Sequence, residues 1–475
     1  MSAEKPDLMD AVFYPKSVAI VGASATARER AWVPRLLNFG YKGRLYPVNP
    51  KATEISGLKC YPSVRDIPDP VELAIFNIPA RVAPQIMEDC VAKGVKVAHI
   101  YAAGFSETEK KELIELEERV TAIAKAGGVR VIGPNCMGIY CPASGLTFNE
   151  DFPRESGNVA FVSQSGAEAM RFVFLGADVG LRFSKVISYG NAVDLDAPDF
   201  LDYLADDPET RVIASYIEGV GNGRRYLEAI KKCLKVKPVV VLKAGLTESG
   251  AGAAASHTAS LSGTKAVWDA FFRQTGAIPA NTMEDVNDVI LALLNMECPK
   301  GRRAAVVGRG GGIGVIAADI CERAGLKVPP FHPDTRRRLE EVIPEAGAGI
   351  RNPVETTYGM GGAAAFYEKG IDIVDADPET DLIITHLAVD VYGGRGADLP
   401  QQVTRAAEVL CEVAPTLKKP VAAALYTGGH THTEEAVLDA REKLLRAGIP
   451  VYPGVEAASK AISKLISYYE LARRD

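Results

Sequence analysis

The 475-residue sequence has no apolar run approaching the roughly 18 residues that span a bilayer, which argues against a helical membrane protein. It has no basic excess either. With 54 Lys and Arg against 60 Asp and Glu, the net charge is −6, and a general nucleic-acid binder is excluded because nothing neutralises the phosphates. None of the eight cysteines forms a Cys-x-x-Cys pair, so neither a zinc ribbon nor a disulfide framework is expected. Met1–Asp7 is polar and lacks the apolar core of a signal peptide. A cytoplasmic protein with reduced thiols is expected. Hydrophobic residues at 47% and charged residues at 24% exclude a disordered or fibrous chain.

What is present is a monotonous alternation. Short runs rich in Val, Ile and Ala, at Ser17–Val21, Leu45–Asn49, Leu73–Ile78, Val95–Tyr101 and Val129–Ile132, are separated by helix-length stretches such as 80–93 and 107–126. Near-continuous apolar strands spaced by helices predict a parallel sheet covered on both faces. A second set of strands runs through Asn158–Val162, Lys185–Ser188, Val212–Ile217 and Pro238–Lys243. A third runs through Arg303–Val307, Leu382–Ala388, Val421–Leu425 and Pro450–Tyr452. The second and third sets each open on a strand, a small-residue turn and a helix, which reads as an internal duplication. The expected fold class is α/β. A Rossmann-like domain at 1–145 precedes two flavodoxin-like domains at 146–298 and 299–475.

The first strand runs into Gly22-Ala23-Ser24, a tight turn that exposes N–H groups to a phosphate. Only one glycine of the dinucleotide fingerprint is present, and Asn49-Pro50-Lys51 stands where a nicotinamide enzyme places an acidic residue. Lys51 at that edge favours a ligand with an extra phosphate. Coenzyme A fits better than NAD, and NADP stays open. Asn77-Ile78-Pro79, Ala103-Gly104 and Asn135-Cys136 end further strands where doubly wound sheets gather ligands. Cys136, with no histidine nearby in sequence, reads as a small buried hydrophobe.

The segment 248–263 has almost no large side chain except His257 and Leu261. Such a stretch cannot anchor itself in a core, so a mobile or backbone-exposed loop displaying one imidazole nucleophile is expected. A phosphohistidine needs a carboxylate to fix its tautomer and N–H donors for the phosphoryl oxygens. Glu218, at the end of Val212–Ile217, supplies the first. Ser163-Gln164-Ser165-Gly166 and Gly310-Gly311-Gly312-Ile313-Gly314, each opening a helix, supply the second.

Val18–Ser24, Pro47–Lys51, Gly133–Cys136, Ser163–Gly166, Tyr189–Asn191 and Ser256–Thr258 occur in this order in NDP-forming acyl-CoA synthetases. The sequence resembles the α subunits of the ADP-forming acetyl-CoA synthetases, which are similar to succinyl-CoA synthetase. The resemblance implies a reaction of acyl-CoA, ADP and phosphate to give a carboxylic acid, CoA and ATP, through an acyl phosphate and phosphorylated His257. It implies Glu218 as the supporting carboxylate. No segment resembles an ATP-grasp domain, so the nucleotide and Mg²⁺ would be held by an ATP-grasp β subunit in an α2β2 heterotetramer. Departures from the family pattern are Ala259 for Gly, Ile313 for Pro, Glu355 for Asp, and the larger or more polar Trp32 and Glu168. They leave the size of the acyl group open. The other readings are a catalytically silent CoA-binding scaffold and an NADP-dependent oxidoreductase.

Of the remaining candidates, His430 and His432 form a His-x-His pair without an evident third ligand, and structural metal sites need four. Asp194, Asp196 and Asp199 read as caps of a helix over 198–205 rather than an ion site. Trp268–Phe272 read as helix core, and the arginines at 224–225 and 336–338 as solvated faces. No metal site is expected.

Overall fold

The computed structural model describes residues 8–24, 31–252, 263–343, 349–356, 362–388, 399–426 and 431–472. Three five-stranded parallel arrays carry it. The first comprises Ser17–Val21, Arg44–Val48, Leu73–Phe76, Val97–Ile100 and Arg130–Ile132. The second comprises Ser156–Ser163, Phe183–Ser188, Val212–Ile217, Val239–Lys243 and Ile278–Ala280. The third comprises Ala304–Gly308, Val354–Glu355, Leu382–Ala388, Val421–Tyr426 and Val451–Tyr452. The strands are buried along most of their length because helices cover both faces, which is why they read as unbroken Val, Ile and Ala runs.

Numbered within each array, the strand order is the same three times: second, first, third, fourth, fifth. This is the flavodoxin order. The first array has it too, and lacks the 3-2-1 half of a full dinucleotide fold. In such a sheet the connections leave the first strand in one direction and the third in the other. A crevice therefore opens beyond the carboxyl ends of those two strands.

The second sheet carries a sixth strand that the sequence reading did not include. Gly138–Tyr140 pairs antiparallel with Phe183–Ser188, so the chain enters this sheet before residue 145. The contacts divide the chain into two compact units, 8–283 and 284–472 among the described residues. The first two sheets share one unit, and the helix Met283–Asn295, expected with the second domain, falls almost wholly in the other.

A backbone seam joins the first two sheets. The N–H groups of Asn191, Val193 and Leu195 donate to the carbonyls of Pro134, Gly133 and Val131 at 3.0, 3.2 and 3.1 Å. Asp194 completes the seam by accepting from Arg130 and from the Val131 N–H at 2.8 Å. It is thus a cross-brace and not a helix cap. Asp196 and Asp199 do form the expected capping box, on the helix Ala197–Asp206.

A buried cation holds the other end of the unit. Lys185 is 1% exposed and lies 2.9 Å from Asp207 and 2.7 Å from Glu209. The Tyr14 hydroxyl donates to the same Glu209, and the ammonium sits 5.2 Å from the Tyr14 ring centre. Removing a charge from such a group strands its partner in a dry environment. Lys185→Met is therefore expected to lower the unfolding free energy by about 3–5 kcal/mol in chemical denaturation.

Candidate active site

The crevice of the first sheet lies between the ends of Ser17–Val21 and Leu73–Phe76. Gly22 has φ +81°, and a Cβ there would lie 2.3 Å from the Asn77 carbonyl oxygen. Only glycine lets the two strand ends approach this closely. Asn49 ties the rim: its side-chain N–H donates to Ala23 O at 2.8 Å, and its Oδ1 accepts from the Lys51 N–H at 2.9 Å. Lys51 itself is exposed, and Asn77 is buried beneath the turn. Gly22 and Asn77 meet at this crevice, and Asn49 ties Ala23 to the Lys51 backbone at its rim. Ala103, Asn135 and Cys136 belong instead to a second hollow.

That hollow, about 390 Å³, is bounded by Tyr101, Ala103, Asn135, Cys136 and Met137 on one side. Gln164, Ser165, Gly166, Ala167 and Met170 form the other, with Gly190 and Asn191 closing it. The seam creates it. A Cβ on Gly190 would fall 2.2 Å from Pro134 O, so this glycine, at φ +58°, lets the two sheets' loops touch. The Asn191 side chain donates to Glu107 and Glu117 at 2.8 and 2.9 Å. Glu107 in turn accepts from the Gly104 N–H at 2.5 Å, which holds the turn after Ala103. Cys136 lines the wall but is 4% exposed, and burial pushes its thiol well above the ordinary range. It behaves as the small hydrophobe expected. Trp32 packs behind the wall, edge-on to His99 and Tyr101 at 5.7 and 5.6 Å. Burial pulls His99 down to about 4, so it stays neutral.

The crevice of the second sheet faces the same cavity. Ser165 caps the helix Gly166–Asp178 by accepting from the Glu168 N–H at 3.3 Å. The N–H groups of Gly166 and Ala167, in the first turn of this helix, are left without intrahelical partners, and both residues line the cavity. Ser163 is fully buried and is spent on shaping the turn, donating to Ser165 O at 2.7 Å. Gln164 does something the sequence did not reveal. Its Oε1 accepts from the Glu218 and Gly219 N–H groups at 2.9 and 3.1 Å. The carboxylate-bearing loop is thereby bolted to the helix turn. Glu218 is 4% exposed, and its Oε1 accepts from the Tyr216 hydroxyl at 3.1 Å. Burial, with the Glu218 charge beside it, raises the Tyr216 hydroxyl well above its ordinary range. His257 lies outside the described residues, as do His430 and Ala259.

The third sheet repeats the arrangement with one difference. Gly310, at φ +99°, leads into the helix Gly311–Arg323, and a cavity of about 340 Å³ is lined by Gly308, Gly310, Gly311, Gly314 and Glu355 among others. A Cβ on Gly311 would come 2.9 Å from Glu355 Oε2. A carboxylate of the chain itself thus stands at this helix N-terminus, and an anion arriving there meets it. Asn352 aims the segment: its side chain accepts from the Val306 N–H and donates to Ala304 O and Pro329 O. Gly312 and Ile313 lie outside the cavity lining. Among the described residues no cluster of three metal-ligating side chains occurs, and no helix is long and apolar enough to cross a membrane.

Residues 16–142 match the CoA binding domain family, and residues 156–293 match the succinyl-CoA ligase like flavodoxin domain family. The cavity at the join of those two segments, with the repeated flavodoxin order, defines a CoA-ligase type of α/β protein. Over 97% of its length the chain aligns with 97% of the acetate–CoA ligase [ADP-forming] II subunit alpha of Pyrococcus furiosus, at 36% identity. The subunit alpha of ligase I from the same organism is 37% identical with the same coverage. Among solved structures, the dinucleotide forming acetyl-coenzyme A synthetase 1 of Ca. Korarchaeum cryptofilum, in complex with phosphate and ADP, superposes with a TM-score of 0.83. That match is at 33% identity and covers 97% of both chains. The chain belongs to the family of ADP-forming acetate–CoA ligases and corresponds to their alpha subunit. Neither a nicotinamide oxidoreductase nor a silent scaffold finds support in these likenesses.

The Gln164 bolt carries a measurable load. Gln164→Leu leaves two buried N–H groups without their acceptor, at about 1–3 kcal/mol each. Denaturant titration is expected to show the loss.

Proposed function

We propose that this chain interconverts acyl-CoA, ADP and phosphate with a carboxylic acid, CoA and ATP, together with a partner that holds the nucleotide. The observation that carries the reading is the cavity shared by the first sheet's strand ends and the open N–H groups of Gly166 and Ala167, with Glu218 bolted beside them. Residues 1–145 serve as the CoA-binding part, 146–298 as the phosphohistidine part and 299–475 as a second ligase part.

CoA lies across Gly22-Ala23-Ser24, with its phosphates near Lys51 and its thioester in the cavity beside Asn135 and Cys136. Phosphate sits at the helix N-terminus behind Ser165, where the dipole and N–H groups favour an anion. A phosphate oxygen attacks the thioester carbonyl, the C–S bond breaks, and CoA leaves as thiolate. An imidazole nitrogen of His257 then attacks phosphorus, and the carboxylate leaves with the bridging oxygen. Glu218 orients the imidazole and offsets its developing positive charge. The phosphoryl group passes from His257 to ADP on the partner, for which an ATP-grasp β subunit with Mg²⁺ in an α2β2 assembly is the reading the resemblance favours.

None of the twelve residues lining the cavity carries a charge. A second carboxylate in the acyl chain would enter without a counter-ion, so the acyl group is uncharged. Tyr101, Met137 and Met170 offer it an apolar, adaptable wall.

With labelled phosphate and an acyl-CoA, base-stable and acid-labile label is expected on His257 and lost in His257→Ala. Glu218→Gln is expected to slow labelling by about 10²-fold. Calorimetry is expected to show CoA binding weakened by about 1.5–3 kcal/mol in Lys51→Glu. Monocarboxylates are expected to turn over and succinate not to. Label on another residue, or full turnover in His257→Ala, overturns the mechanism.

A further inference from the structure

The end of the strand Val239–Lys243 holds a cation that the reaction as written does not use. Lys243 is 4% exposed. Its Nζ donates to the backbone carbonyl of Glu218 at 2.7 Å and to that of Ala244. It also lies 5.3 Å from the centre of the Trp268 ring. Burial pulls this ammonium down to about 8, against the raising influence of Glu218. A charge held in so dry a place is a costly way to fill space, and a methionine would fill the same volume.

The three contacts fall at three meaningful points. Ala244 leads, through Gly245 and a short helical stretch at 248–252, toward His257. Trp268 lies on the helix Lys265–Thr275 that follows the segment. Glu218 is the carboxylate meant to meet the imidazole. Trp268 is itself fixed, 6% exposed and edge-on to the buried Tyr226 at 6.2 Å. Glycines with positive φ stand just inside both ends, Gly245 at +76° and Gly263 at +71°. A Cβ on Gly263 would approach Trp268 Nε1 to 3.2 Å. One cation thus contacts a residue before the His257 segment, a residue after it and the backbone of Glu218.

We infer that Lys243 is a positioning residue for phosphoryl transfer. Its ammonium ties Ala244 to the Glu218 backbone beside Trp268, so that the chain leading to and from the His257 segment starts from fixed places relative to the carboxylate. The inference rests on the phosphohistidine reading above. Lys243 takes no part in attack of phosphate on the thioester, and this separates its role from one in folding.

The test is a single turnover of the assembled enzyme with acyl-CoA and labelled phosphate, without ADP, following thiol release and label on His257 separately. In Lys243→Met, thiol release and the KM for acyl-CoA are expected to match the wild type, while labelling slows by about 10²-fold, the scale of a small misplacement. Lys243→Arg is expected to recover part of the rate. Trp268→Leu is expected to slow the same step less, and to add little on top of Lys243→Met because the two act through one contact. Wild-type labelling in Lys243→Met overturns the inference, as does an equal fall in thiol release and labelling. An unlabelled wild type with normal thiol release overturns the phosphohistidine reading itself, and with it this role.

Discussion

The close approach of Pro134 and Gly190 is the constraint on which the rest of the site depends. A backbone carbonyl of one sheet's loop stands where a side chain of the other's would be, and only hydrogen fits between them. From that point the seam runs outward through Asn191, Val193 and Leu195 to the Arg130–Asp194 pair. It makes two parallel sheets, each with its own crevice, into one unit with the crevices facing a common cavity. The two crevices stay in register because the sheets cannot slide apart.

Within that frame the roles separate cleanly. The first sheet offers a glycine turn and an exposed lysine, suited to a long ligand with several phosphates. The second offers a capped helix start and a buried carboxylate, suited to a small anion passing through. The third keeps the same strand order, yet sets Glu355 against its own helix N-terminus. Where the second sheet's cavity lining carries no charge, the third sheet's includes Glu355 beside the helix start. An anion drawn there would lie beside a like charge.

The alternation of apolar runs made most long strands legible, to within a residue or two at each end, because strands buried on both faces leave an unbroken signal. Of the short ones, Arg130–Ile132 and Val451–Tyr452 were legible and three others escaped. Gly138–Tyr140, Ile278–Ala280 and Val354–Glu355 are two or three residues long, and their pairing is decided by neighbours distant in sequence. At the site, Gly22, Gly166 and Glu218 announced themselves by lying at strand ends. Met137 and Lys243 did not, and Gln164 was read as a phosphate-site residue, since a carboxamide that bolts a distant loop and a lysine under a ring have no sequence pattern. Ser163 was read as a phosphate ligand for its company, while its hydroxyl is consumed in its own turn.

The strand Gly138–Tyr140 also bears on how the chain can be divided. Residues 16–142 match a recognised domain, and that boundary invites a cut just beyond it. The cut would leave the strand on the wrong piece. Tyr140, fully buried among Phe39, Phe152 and Phe183, would face solvent on the first fragment. On the second, Phe183–Ser188 would become a bare edge with unpaired N–H and C=O groups, a template for intermolecular pairing. Two fragments that look like separate modules on paper would each emerge sticky, and co-expression of the halves would be a test of complementation rather than of independent folding.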